Sequence, residues 1–236
     1  MHNYDYKYAK TVITALVLLL CSTTTQARDY LIEVVLFETL SGSNLSDDIM
    51  YLPRIRNSLR LNTEAAVAAG FLPVEQGLTL SQNAADIAAS NNYRLLRHLS
   101  WRQPGLAADE TKAVRVSLGS NIPMYIPADL QPYPEFIPAS ANPVGNRTEA
   151  VSSPIVNGTI TVRLGRFLHM DTRLVFTDAQ RQQSFRLAQS RKMRSGELHY
   201  IDNPRFGILT RITPLEDKIL EPDVEQSTEN AVAAPE

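Results

Sequence analysis

His169 and Asp171 stand two residues apart, as do Glu197 and His199, and on an extended chain the members of each pair point the same way. Imidazoles and carboxylates so placed have two chemical uses: they could share a divalent metal, or move a proton to and from a substrate. A metal centre needs several converging ligands. Here Arg166, Arg173, Arg191, Lys192 and Arg194 surround the pairs with positive charge that repels a cation. Catalysis has less support still, since the chain holds no G-x-S-x-G elbow, S-x-x-K, H-E-x-x-H or Walker loop. We read a protein that is not an enzyme and needs no metal or cofactor. In it His169, Asp171, Glu197 and His199 belong to a polar lattice of cross-strand contacts.

The basic residues are the sharper signal. The whole chain has a formal net charge of −2, yet Gly158 to Pro214 carries ten Lys/Arg against four Asp/Glu. Arginine suits carboxylates because its planar fork makes two parallel hydrogen bonds. Sparse aromatic interleaving speaks against nucleic acid. The candidate ligand contacts are Arg166, Arg173, Arg191, Lys192 and Arg194, with Tyr200 and Phe167 offering apolar surface to a sugar. Trp101, the one tryptophan, has two readings: a plug at the edge of the core, which its place at a strand end favours, or a sugar-stacking platform. The basic cluster also has a plain reading as a solvated strand edge guarded by charge.

The elements that must position these groups are mostly strands. Leu168, Met170, Thr172, Leu174 and Phe176 alternate with His169, Asp171 and Arg173, which predicts a strand with one buried and one wet face. Thr159–Leu164, Ser184–Arg191 and Phe206–Ile212 repeat the pattern, with Asn157-Gly158 as a tight hairpin turn before the first. Earlier, Tyr30–Glu38 is almost continuously apolar, as a central strand buried on both faces would be. Thr63–Ala69, stopped by Gly70, and Ser81–Ala89, capped by Ser81, favour helices, and Tyr93–Trp101 alternates as a strand. Strand, helices and strand in that order predict a βαβ crossover with parallel strands. The expected fold is α+β: a mainly antiparallel sheet carrying one βαβ unit.

The ends and the middle have other compositions. Residues 1–27 look like a secretory signal: Lys7 and Lys10, an apolar run from Thr11 to Cys21, then Thr25-Gln26-Ala27 as a cleavage site. The run falls short of the about 20 apolar residues a spanning helix needs. Cys21 is the only cysteine and would leave with the leader, so disulfides, thiolate ligands and a cysteine nucleophile are excluded from the mature chain. Residues 28–214 are long enough for a single domain. They hold 20 basic and 17 acidic residues. Eight of the fourteen prolines fall between Pro104 and Pro154, which predicts a poorly structured insertion over 104–156. Residues 215–236 are acidic with little to bury, as in a disordered tail.

Three strings carry a resemblance: Gly165-Arg166-Phe167-Leu168-His169-Met170-Asp171, the longer run Arg191 to Pro204, and Trp101-Arg102-Gln103-Pro104. Together with Phe206-Gly207 they resemble the CsiV family of periplasmic peptidoglycan-binding proteins, from which Lys192 and Asn203 depart. The resemblance implies a periplasmic protein that binds peptidoglycan and supports cell-wall assembly. It further implies regulation of a class A penicillin-binding protein through that synthase's outer-membrane lipoprotein activator. Two other readings remain open: an envelope adaptor that touches only proteins, and a metal-dependent wall hydrolase.

Overall fold

The computed structural model describes residues 28–41, 52–53, 55, 57–126, 136–137, 149–178 and 183–216. The expected leader, all but the first two residues of the expected tail, and the centre of the Pro-rich region lie outside the described residues.

Strand β1 (Asp29–Thr39) is buried along nearly its whole length, as its unbroken apolarity requires. It pairs antiparallel with β5 (Tyr93–Pro104) on one side and β12 (Phe206–Pro214) on the other. Strands β11 (Leu198–Asn203) and β4 (Leu72–Pro73) complete a first sheet, ordered β11–β12–β1–β5–β4. The second sheet is built from β10 (Gln183–Met193), β9 (Leu168–Asp178), β8 (Glu149–Leu164), β6 (Ala113–Ile126) and β3 (Ser58–Leu59), in that order. Only β3 runs parallel to its neighbour. Strands β2 (Leu52–Pro53) and β7 (Phe136–Ile137) form a separate pair.

The two sheets face each other across one core. Ile32, Val34 and Leu36 of β1 and Ile208 and Ile212 of β12 join Ile160 and Val162 of β8, Met170, Leu174 and Phe176 of β9, and Leu187 of β10. Each such burial is worth roughly 1.5–3 kcal/mol, which lets a chain without disulfides hold its fold.

The expected α+β fold is overturned: the protein is mostly β, with only α1 (Glu64–Ala68) and α2 (Ser81–Ala89) helical among the described residues. The βαβ unit fails with it, because β1 and β5 are antiparallel. Lengths explain this. A nine-residue helix spans about 13 Å, whereas a crossover beside a strand of twelve residues must travel about 40 Å. Instead α2 lies on the outer face of the first sheet, with Leu80 and Ala84 against Val35. Leu80, not Ser81, holds its cap position and makes no side-chain cap bond. The buried Glu33 of β1 serves the helix start instead: its carboxylate accepts from the Thr79 N–H (3.0 Å), the Thr79 hydroxyl (2.6 Å) and the Leu80 N–H (3.0 Å).

The Pro-rich region is also more ordered than expected, since β6 and β8 take in 113–126 and 149–164. Beyond Val156 β8 has lost β9 as a neighbour, so Pro154 and Pro123 sit in a two-stranded extension. Among the described residues each strand there has an unpaired edge, where a missing N–H is tolerated. Asn157-Gly158 is not a turn but the middle of β8. Gly158 has φ +151, and a Cβ there would stand 2.0 Å from the Arg173 carbonyl oxygen. Glycine is needed because β9 passes so close, not because the chain reverses.

One side of this two-layer structure is closed. Gln189 Nε2 of β10 donates to the Asp202 carbonyl of β11 (3.0 Å), and Asn203 Nδ2 donates to the Arg186 carbonyl (3.0 Å). Between them the buried Arg205 binds Glu38 (3.1 Å) from the first sheet and Asp178 (3.2 Å) from the second.

Candidate functional site

The basic residues singled out above divide among three places. At one end of the second sheet the turn from β8 to β9 carries Arg166 and Phe167, and the end of β10 lies beside it. Phe167 is 41% exposed. Lys192 Nζ stands 3.2 Å from its ring centroid and Arg166 Cζ 5.4 Å. Two cations over one aromatic ring are held by its negative face. Arg191 is exposed next to them, in register with the buried Met170 at the sheet's edge strand.

The wet face of the second sheet holds the rest of the expected alternation. Met170, Thr172, Leu174 and Phe176 are buried, while Arg173 is exposed opposite Thr159 and Ala188. Arg173 borders a hollow of about 130 Å³ shared with Asp171, Ala188 and Ser190. Asp171 accepts from Arg163 Nε (3.0 Å), and His169 Nδ1 lies 3.1 Å from the Phe167 carbonyl. Arg194 belongs to the turn after β10, where it meets Glu197 at 3.4 Å, and its backbone N–H donates to His199 Nε2 (3.3 Å). His169 and Asp171 thus lie apart from Glu197 and His199, the first pair on β9 and the second at the turn into β11. Among the described residues no three metal-ligating side chains gather.

Tyr200 and Trp101 do not join the arginines. Tyr200 lies on β11, with its ring stacked on Phe37 (6.0 Å between centroids), and Phe37 meets Tyr93 edge-on (5.4 Å). Partial burial and then the neighbouring Asp202 charge push the Tyr200 phenol up to about 12. Trp101 has no exposed surface. Its indole N–H donates to Gln103 Oε1 (2.8 Å), and the Gln103 amide donates to the Val162 carbonyl of the facing sheet (3.1 Å). Of its two readings the structure supports the core plug.

A further basic group escaped the sequence reading. On the side where β5 and β6 face each other, a cleft of about 320 Å³ is lined by Arg60, Arg97 and Arg115, with no carboxylate among the described residues that line it. The available signal was Arg97, which shares the alternation phase of Leu99 and Trp101 and so sits on an otherwise apolar face.

These surfaces offer cations and aromatic edges to an anionic polymer, and among the described residues no helix is long and apolar enough to cross a membrane. Neither curated proteins nor solved structures include a match to the chain. A family described as "Peptidoglycan-binding protein, CsiV" matches residues 10–215. With nearly its whole length covered, the chain belongs to the CsiV family of peptidoglycan-binding proteins.

Proposed function

We propose that this protein is a periplasmic peptidoglycan-binding factor that supports wall assembly by regulating a class A penicillin-binding protein through its outer-membrane lipoprotein activator. The family match over residues 10–215 carries the binding part of the reading. Export through the 1–27 leader would place the protein beside that polymer. On the surface, Arg166 and Lys192 lie over the exposed Phe167 at one end of the second sheet, with Arg191 exposed beside Lys192 on β10 and Arg173 exposed on β9. Stem-peptide carboxylates would pair with the guanidinium forks, and the Phe167 ring would lie against a sugar face. Arg194, in the turn after β10, would extend the contact toward β11.

Co-sedimentation with purified sacculi tests the binding site. The wild type should pellet, and an Arg191→Ala/Arg194→Ala variant should pellet less. Equal sedimentation of the two would remove these arginines from the site. Mixing with the purified lipoprotein activator tests the regulatory half, with glycan polymerisation by the synthase as readout. Activator binding without sacculus retention would instead favour a purely protein-binding adaptor.

A further inference from the structure

The cleft between β5 and β6 has the wrong composition for a purely structural feature. Arg60, Arg97 and Arg115, drawn from both sheets, are among its lining residues, and no Asp or Glu is among the described residues that line it. Among the described residues Arg115 Nη1 is buried without a hydrogen-bond partner. Burial, and then the Arg60 charge, hold the Arg115 guanidinium below its ordinary value. A buried donor left unpaired and a repulsive neighbour both destabilise the fold, and nothing in the described chain offsets them. Apart from Ser117 the remaining described lining residues are apolar: Leu61, Leu99, Val116 and Leu118.

We propose that this cleft is a second binding site, which takes the carboxylate terminus of a short alanyl peptide. Guanidinium groups converging from two sheets can grip both oxygens of a carboxylate and fill the vacant Arg115 Nη1 bond. Phosphate would satisfy the same charges, but it carries no carbon to cover the leucines. A terminal alanine presents its methyl group directly beside its carboxylate. The volume of about 320 Å³ exceeds what one small ion needs and lies at the lower end of ligand pockets. This deepens the peptidoglycan reading and rests on it, since stem peptides end in alanine carboxylates.

The test uses the full chain and three soluble probes: a synthetic stem pentapeptide ending in D-alanine, the same peptide with a C-terminal amide, and inorganic phosphate. Calorimetric titration should show that the free acid binds wild type about tenfold or more tightly than the amide. It should also bind wild type more tightly than Arg115→Gln by a similar factor. Arg97→Gln, a change at an exposed position, should weaken binding in the same direction and covers the case in which the Arg115 variant does not fold. Equal affinity for acid and amide overturns the proposal, as does phosphate binding as tightly as the peptide. Wild-type retention on whole sacculi is measured in parallel. Retention with no acid–amide difference sinks the cleft alone, whereas no retention sinks the peptidoglycan reading on which it rests.

Discussion

Two arginine sites on opposite sides of the molecule show what a buried cation is for. On the closed side Arg205 is 2% exposed, with Glu38, Asp178 and the Thr39 carbonyl bound to its terminal nitrogens and the Phe185 ring beneath it. Arg94 adds a second cation to Glu38. On the open side Arg60, Arg97 and Arg115 share a cleft, and an Arg115 nitrogen is buried with no acceptor among the described residues. The closed side joins the two sheets with ion pairs made by the terminal nitrogens of Arg205. On the open side no carboxylate is among the described residues that line the cleft. The same residue type serves architecture on the closed side, and on the open side it is the basis of the second binding site proposed above.

The contrast breaks most sharply at Arg205. Arg205→Ala takes the buried guanidinium that joins Glu38 to Asp178 out of the cluster, and should cost about 3–5 kcal/mol in urea unfolding. A loss below 1 kcal/mol would show that the closed side is not held by this ion cluster. Glu33 asks whether satisfaction alone, without an opposite formal charge at hydrogen-bond distance, gives the same result. Glu33→Ala removes the acceptor from three donors at the start of α2. It should cost about 1–3 kcal/mol, with faster amide exchange confined to that helix. Arg115→Gln should behave in the opposite way. Unfolding free energy should stay within about 0.5 kcal/mol of wild type or rise, because the variant drops a charge repelled by Arg60 and a buried nitrogen without a partner among the described residues. A large loss there would mean that the open-side arginines are structural after all.

The smallest effect lies at the aromatic strip on β11. A phenol raised to about 12 in the fold, against 10.0 unfolded, holds its proton more tightly when folded. Its contribution is complete below pH 10 and is lost as pH rises toward 12. Phenolate absorbance should report a late-titrating tyrosine that disappears in Tyr200→Phe, while the variant loses less stability over the same window. A tyrosine spectrum unchanged by the substitution would contradict the placement of Tyr200 against Phe37 and Asp202.

Alternation made the strands legible. The period-2 pattern from Leu168 to Phe176 names which side chains are buried, and the unbroken apolarity of Tyr30–Glu38 marks the central strand. Strand direction was not legible, because a helix between two strands says nothing about its length relative to them. Glycine and proline misled for a related reason. Gly158 answers to the carbonyl of a strand distant in sequence, and Pro123 and Pro154 to the point at which β9 stops pairing. Among site residues, Arg166, Phe167 and Lys192 meet although 25 positions separate the last two, since β9 and β10 return the chain to the same end of the sheet. The cleft could not be read in advance. Its arginines come from three segments, brought together only by the pairing of β3 with β6 and the packing of one sheet on the other.

Sedimentation of the purified protein with sacculi, at low and at high salt, addresses the central claim most directly. Binding through exposed arginines predicts a pelleted protein at low salt that is progressively released as ionic strength rises. A protein that stays in the supernatant at every salt concentration would contradict the claim that this chain grips the wall.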